Sequence, residues 1–371
     1  GQFNCYPAVY TDYEDYKLIH PKMVISTYTL SSNVSSLLSL LDEIVNKSKL
    51  DNVERLKEVI SEIRGDYETA LNSNGINIAK SQLESYFLQA SRYENLGTLE
   101  QYQFILQIQE ELNTNPENVI KNLQEVHSLA FDRKNLLIGV TVDSSEYNNI
   151  RKSLIHFSET LKTSDLEPQT YYFPASSTKQ GVINGEKIQY VGKGYNFRDL
   201  GYDYSGKMQV LRNIIALEYL WNELRVKGGA YDFLPNISEN GNLYFITYRD
   251  PNLKESLSVF DKIPAFLNTF DADEQEMTNY IIGTFKNYDP LLNPSQKGDI
   301  GDSFYITGKS NKDYIKEQKE ILNTTTKDIK NYAILIADVM KQDNYCIVGN
   351  EGKIKESKEI FDEVLEVFNI N

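Results

Sequence analysis

The sequence predicts an α+β protein that consists of two related α/β domains, each with strands packed against helices. Three observations predict this class. The chain has 371 residues, and a single hydrophobic core rarely grows beyond roughly 250–300 residues. Segments with strand composition alternate with segments of helical periodicity in both halves of the chain. One order of elements also occurs twice, which suggests that one unit is duplicated.

The first half begins with a strand followed by a helix. Residues 22–30 (KMVISTYTL) are rich in β-branched and aromatic side chains, as strands are. The Ser-rich segment that follows can cap a helix over residues 37–45. Residues 51–112 then repeat apolar side chains at helical spacing, with breaks at Gly75 and Gly97. This region is therefore predicted to be a series of long helices.

The remainder of the first half alternates in the same way. A helix is predicted to open at Asn115 and Pro116, because Pro favours the first turn of a helix. Residues 136–142 (LLIGVTV) predict a strand, and residues 144–161 predict a helix.

A linker is predicted between the two halves. Residues 163–182 lose all periodicity and carry two Pro among Ser and Thr side chains, a composition typical of linkers. We therefore expect one domain at residues 1–165, a linker at residues 166–182 and a second domain at residues 183–371.

The second half follows the same plan of strands and helices. A strand is predicted at residues 187–191 and a helix at residues 207–225. A strand hairpin is predicted around residues 231–248, followed by helices at residues 252–268 and 272–287.

The internal repeat joins residues 115–156 with residues 324–362. Both segments run helix, polar turn, strand and helix, with LLIGVTV and YCIVG as the strands. Their identity is low, so a chance match is the alternative to two copies of one α/β unit.

The charge of the chain argues against a nucleic-acid partner. It has 38 Lys and Arg against 53 Asp and Glu, a net charge of −15, whereas nucleic-acid affinity depends on clustered basic side chains. An acidic surface can attract basic ligands, or it can serve solubility alone. No segment has the apolar length needed to span a bilayer, and no secretory signal precedes the chain as given. We expect a cytoplasmic or organelle-matrix protein without a membrane partner, and a start at Gly1 suggests processing or a piece of something longer.

Metal chemistry is not predicted within this chain. The three histidines, His20, His127 and His156, fall in separate segments, and the two cysteines are far apart. His156 begins the sequence HFSET, which is one residue short of the H-x-x-E-H zinc motif because Thr160 stands at its last position. A neutral hydroxyl is a poor replacement for imidazole, so an ordinary surface helix is the better interpretation. Glycine-rich phosphate motifs and G-x-S-x-G are also absent from the sequence.

The segment WNELRVKGGAY, residues 221–231, is the best candidate for a site. A predicted helix ends with Arg225 and Lys227, and Gly228 and Gly229 then permit a tight turn before a strand that begins at Tyr231. Cations that stabilise the negative end of a helix dipole would explain this pattern. Alternatively, Arg225 and Tyr231 meet at one rim and donate hydrogen bonds to a bound peptide or anion.

At this segment the chain resembles a known family. The sequence LWNELRVKGGAYDFLPNISENGNLYFITYRDPNL resembles the C-terminal half of the pitrilysin/insulinase-type zinc metallopeptidases, specifically the presequence-protease branch that includes falcilysin. The early HPKMVISTYTL and residues 281–283 (IIG) fit the same pattern, and the likeness covers nearly the whole chain.

The resemblance implies that this chain is the third and fourth domains of a longer enzyme, each a mostly antiparallel sheet packed against helices. It implies an N-terminal half of the same enzyme as partner, unfolded peptides as substrates, and zinc bound by that other half rather than here. Arg225 and Tyr231 match the family's R-x-x-G-G-x-Y residues that reach substrate near the scissile bond, and Gly228 and Gly229 shape the turn. Without H-x-x-E-H, the chain alone is expected to be inactive.

Two alternatives accompany this interpretation. The chain could be a separate non-catalytic subunit that pairs with a zinc-bearing chain, or a scaffold homologue that kept the fold and lost peptidase work. Both Arg225 and Tyr231 are present, which argues for substrate contact in the enzyme and in the separate subunit.

Overall fold

The structure is a computed structural model that describes residues 2–164, 170–173 and 177–368. It begins with an antiparallel hairpin of strands β1 (Gln2–Thr11) and β2 (Ile19–Tyr28). The helices that follow are α1 (Val34–Lys47), α2 (Val53–Ser73), α3 (Gly75–Ser85), α4 (Gln89–Asn95), α5 (Gln101–Thr114), α6 (Pro116–Ala130) and α7 (Ser144–Thr160). A π-helical segment, Leu96–Glu100, joins α4 to α5.

The later part of the chain contains the strands of the larger sheet. These are β3 (Lys179–Ile183), β4 (Gln189–Asn196), β5 (Asp232–Ile237), β6 (Asn242–Tyr248), β7 (Tyr345–Gly349) and β8 (Glu363–Glu366). Its helices are α8 (Lys207–Ile214), α9 (Lys254–Asp261), α10 (Ile263–Thr269), α11 (Glu274–Tyr288), α12 (Pro294–Thr307), α13 (Asn311–Leu322), α14 (Thr326–Lys341) and α15 (Glu351–Glu356). A second π-helical segment, Ile215–Lys227, continues α8 without a break.

The larger sheet is mixed, and β5 lies at one of its edges. Among the described residues its strand order is β5-β6-β4-β7-β3-β8. The pairs β5–β6, β6–β4 and β4–β7 are antiparallel, whereas β3 runs parallel to both β7 and β8. The hairpin of β5 and β6 therefore places the residues that precede β5 at the rim of the sheet.

Both faces of this sheet are buried. In β6, Leu243 and Phe245 face a cluster formed with α8, α10 and α14, whereas Tyr244 and Ile246 face a second cluster. The second cluster contains Leu83 of α3, from the first half of the chain. Because side chains alternate between the faces of a strand, strands covered on both sides are apolar throughout. This explains the continuous apolar runs of β6 and β7.

Polar contacts reinforce the packing of α3 on the sheet. The Tyr86 hydroxyl donates to Oε1 of Gln180 at 2.7 Å, and Nε2 of Gln82 donates to the same atom at 3.0 Å. All three residues are buried, and a buried polar group is costly unless it is hydrogen-bonded. The pairing fixes the register of α3 against β3.

Most of the predicted elements are present. The structure confirms the strand at residues 22–30 as β2, the helix at residues 37–45 as α1, and the hairpin around residues 231–248 as β5 and β6. The helix predicted at residues 252–268 is divided into α9 and α10 at Lys262. Several elements are not predicted by the sequence pattern: β1, β3, β8, α12 and α13.

The strand predicted at residues 136–142 is wrong. This segment pairs with no strand of the described chain, and Leu137 and Val140 are exposed. The second copy of the proposed repeat has its strand, β7, whereas the first copy has α6 and α7 without one. A strand needs a partner edge, and composition alone does not supply one.

The predicted linker overlaps the first strand of the larger sheet. Strand β3 begins at Lys179, inside the segment 166–182, while residues 165–169 and 174–176 lie outside the described residues. The division into domains at 1–165 and 183–371 stays a prediction. Separately, none of the described helices is long and apolar enough to cross a membrane.

The packing of α3 on the larger sheet predicts a large effect of Leu83→Ala. The Leu83 side chain is fully buried, so its truncation should lower the free energy of unfolding by about 2–5 kcal/mol. Leu40→Ala, at a residue that is 58 % exposed on α1, should change it by less than about 0.5 kcal/mol. Urea unfolding measures both. Equal effects of the two substitutions would contradict the packing described above.

Candidate functional site

Arg225 lies near the end of the π-helical segment that continues α8. Leu220 and Leu224 of this segment are buried in the core of the sheet, which anchors the helix. Arg225 follows Leu224 directly and is partly exposed. A π-helical stretch is uncommon and often occurs at functional sites, because it re-aims the side chains that follow it.

The two glycines end this helix. Gly229 has a φ of +80°, in the left-handed region that favours glycine. The Gly229 N–H donates to the Arg225 carbonyl at 3.2 Å and the Ala230 N–H donates to the Leu224 carbonyl at 3.0 Å. A Cβ at Gly228 would lie 2.6 Å from the Leu224 carbonyl oxygen, so this position also requires glycine. Backbone N–H groups therefore satisfy the carbonyls at the helix end.

A second segment, residues 247–252 (TYRDPN), supports this turn. The Asp250 carboxylate is fully buried and accepts from the Ser256 hydroxyl at 2.6 Å and from the Asn252 N–H at 2.8 Å. The Asn252 side-chain amide donates to the Gly228 carbonyl at 2.6 Å. Burial raises the pKa of Asp250, and the hydrogen bond from Ser256 opposes that rise. The buried carboxylate thus ties the glycine turn to the sheet.

Tyr231 begins the edge hairpin beside Arg225. Its N–H donates to the Tyr248 carbonyl at 3.1 Å, which fixes the start of β5 against β6. The ring of Tyr231 is 62 % exposed and makes an edge contact with the Tyr248 ring, at 6.0 Å between centroids. Tyr248 in turn contacts the buried ring of Tyr190 at 5.6 Å. The exposed ring is therefore connected to the core through two further rings.

The guanidinium of Arg225 is held by aromatic rings. Its Cζ atom lies 4.5 Å from the ring centroid of Trp221 and 5.5 Å from that of Tyr231. Both distances are within the range of cation–π attraction. The structure therefore brings Arg225 and Tyr231 together at the rim of the sheet, as the sequence predicts.

Neighbouring carboxylates do not neutralise Arg225. Glu223 pairs with Lys227 at 2.6 Å, and Glu218 accepts from the Tyr280 hydroxyl at 2.7 Å. Within the described part of the chain, Arg225 has no ion pair or side-chain hydrogen bond, and the Tyr231 hydroxyl has no hydrogen-bond partner. Helix capping accounts for Lys227 but leaves the Arg225 donors unused. The rim therefore offers guanidinium and hydroxyl donors to a ligand.

The histidines do not form a metal centre. His20 lies 3.4 Å from a carboxylate oxygen of Asp12, His127 packs on the Phe131 ring, and His156 is exposed on α7. No group of three or more His, Cys, Asp or Glu among residues 2–164, 170–173 and 177–368 could hold a metal ion. The described residues do not fit a zinc site, and no step through zinc is assigned to them.

Three residues of this site are not singled out by the sequence pattern. Trp221 lies in the candidate segment without a predicted role, and the anchors Asp250 and Asn252 enter only as part of a family pattern. The sequence Asp-Pro-Asn is a turn signal, which points to this corner. The burial of Asp250, however, depends on contacts with Ser256 and with β4.

Family models match two regions of the chain. The model described as "PreP C-terminal domain" matches residues 180–350 and therefore includes the site. A second model, which describes a region associated with subgroup C of the M16 peptidases, matches residues 1–108.

Curated relatives match nearly the whole chain. "Protein HypA" of Clostridium perfringens is 38 % identical over 348 residues, which are 94 % of this chain and 36 % of that protein. "Presequence protease 1, chloroplastic/mitochondrial" of Arabidopsis thaliana is 25 % identical over 88 % of this chain and 30 % of that protein. The chain therefore spans about a third of the length of these relatives.

Solved structures share the fold. A conserved protein from Enterococcus faecalis V583 matches with a TM-score of 0.62 and 13 % identity, over 94 % of this chain and 82 % of that one. Pitrilysin matches with a TM-score of 0.60 and 10 % identity, over 94 % of this chain and 35 % of that one. A protease from Helicobacter pylori matches with a TM-score of 0.58 and 15 % identity, over 93 % and 81 %.

The left-handed turn predicts opposite effects for two glycine substitutions. Gly229→Ala should lower the free energy of unfolding by about 1–2 kcal/mol, because Ala is strained at positive φ. Gly65 lies in α2 with open space around its Cα, so Gly65→Ala should raise it by about 0.5–1 kcal/mol. Urea unfolding measures both values. Gly229→Ala with the stability of the parent would contradict the turn geometry.

Proposed function

Since the chain belongs to the C-terminal half of the pitrilysin-like, M16-type peptidases, we propose that it is the non-zinc-binding half of a zinc metallopeptidase that encloses and cleaves unfolded peptides. The two family-model matches, the presequence-protease relatives and the structural neighbours support the family. The remaining part of the same protein, its N-terminal half, is the proposed partner. We place the activity in the cytoplasm or in an organelle matrix.

The single observation that carries a role for this half is the unneutralised Arg225 beside Tyr231. The chain has 53 acidic side chains, yet the carboxylates nearest in sequence, Glu218 and Glu223, have other partners. A guanidinium that keeps its donors free at an exposed rim is available for a peptide carbonyl or carboxylate. This supports a substrate-binding wall more than a helix cap alone.

The chemistry assigned to these residues is positioning and charge stabilisation. Arg225 presents planar, fixed N–H donors, and Tyr231 presents a hydroxyl donor that is about one ring contact away. Donors aimed at a carbonyl oxygen hold the peptide in register and stabilise negative charge that develops on that oxygen. Zinc, when bound by the other half, activates the attacking water. Gly228 and Gly229 set the position of the rim and contact substrate through their backbone.

Substitution of the two donors should lower activity in the full-length protein. Arg225→Ala and Tyr231→Phe should each reduce kcat/KM for an unfolded peptide by about 10–1,000-fold, because each removes a transition-state donor. Lys227→Gln is the matched control, since Lys227 is exposed and pairs with Glu223, and it should stay within about twofold.

Two results would contradict the proposal. If Arg225→Ala retained activity within twofold of the parent, the rim would have no part in catalysis. If the 371-residue chain alone cleaved the peptide in the presence of zinc, the catalytic metal would belong to this half. Steady-state cleavage of a quenched fluorogenic peptide measures both quantities.

A further inference from the structure

Trp221 is the residue whose contact with Arg225 the proposed function leaves unexplained. It is the single tryptophan of the chain. It lies four residues before Arg225 on the same π-helical segment, and its ring is 43 % exposed rather than buried in the core. A large exposed indole is costly to keep in water, so its place over a guanidinium calls for a reason beyond packing.

The indole is one of two groups that restrain the guanidinium. No ion pair holds Arg225 within the described residues, and its side-chain contacts are the rings of Trp221 and Tyr231. An unrestrained arginine side chain has several rotatable bonds, and fixing them costs free energy when a ligand binds. Stacking on a ring uses the face of the guanidinium and leaves its N–H edges for a ligand.

The two rings are anchored differently. Tyr231 is connected to the core through Tyr248 and Tyr190, and the Tyr190 hydroxyl donates to Glu186 at 2.7 Å. Burial and this hydrogen bond raise the pKa of Tyr190, so the anchor stays protonated. Trp221 is fixed by the helix itself, whose Leu220 is buried. The guanidinium therefore touches one ring set by the sheet and another set by the helix.

We propose that Trp221 is a positioning residue that holds the Arg225 guanidinium in the orientation in which its donors meet a backbone carbonyl or carboxylate of a bound peptide. This inference rests on the proposed function and adds a residue to it. Trp221 acts through Arg225 and does not itself contact the reacting atoms. Its effect should therefore depend on the presence of Arg225.

A double-mutant cycle in the full-length protein tests this dependence. Trp221→Leu should lower kcat/KM for an unfolded peptide by about 5–30-fold, since a small misplacement of a positioned donor is costly. The loss should fall on kcat more than on KM. Trp221→Phe keeps a ring and should stay within about threefold. In an Arg225→Ala background, Trp221→Leu should change the rate by less than about twofold.

The control is Tyr305→Leu, which removes another exposed ring, 75 % exposed on α12, and should leave the rate unchanged. If the effects of Trp221→Leu and Arg225→Ala multiplied independently, or if Trp221→Leu had no effect while Arg225→Ala did, the positioning role would be overturned. The proposed function would survive both results, because it fails separately, when Arg225→Ala itself is active.

The single tryptophan supplies a second readout that does not depend on activity. In the 371-residue chain, Arg225→Ala should increase acrylamide quenching of the tryptophan emission, because it uncovers one face of the indole. Lys227→Gln should leave the quenching unchanged. Unaltered quenching in Arg225→Ala, with the urea midpoint of the parent retained, would show that the stack is absent in solution and would overturn the inference.

Discussion

The burial of both faces of the larger sheet is the constraint on which the site depends. The apolar side chains of β6 and β7 alternate between a cluster with α8, α10 and α14 and a cluster with α3. This leaves no freedom to slide the strands, because a shift of one residue would exchange the two faces. The edge hairpin of β5 and β6 and the helix that ends at Lys227 are therefore fixed relative to each other. The rim that carries Arg225 and Tyr231 is built at their junction.

A buried carboxylate completes this junction. Asp250 accepts hydrogen bonds from Ser256 and Asn252, and Asn252 reaches the carbonyl of Gly228. A buried acid is costly unless its oxygens are satisfied, so this arrangement specifies one geometry for the turn. Because the turn is set from the sheet side, Arg225 does not need to cap its own helix. Its donors are left for a ligand.

The sequence predicted the site better than it predicted the sheet. Arg225, Gly228, Gly229 and Tyr231 lie within seven residues, so helix, turn and strand signals place them near one another without knowledge of the fold. The role of Asp250 depends on contacts with β4 and α9, which no local pattern shows. The parallel pairing of β3 with β7 joins residues that are more than 150 positions apart. Residues 136–142 have the composition of a strand, but the structure gives them no partner edge.

Contact between the peptide and the rim at Tyr231 is the central claim, and photo-crosslinking tests it most directly. A benzophenone side chain placed at residue 231 of the full-length protein keeps an aromatic ring there, and removal of the metal by chelation keeps an added unfolded peptide intact. We expect irradiation to link residue 231 to the peptide, whereas the same group at residue 305 should give little product. Equal yields at residues 231 and 305 would contradict the claim.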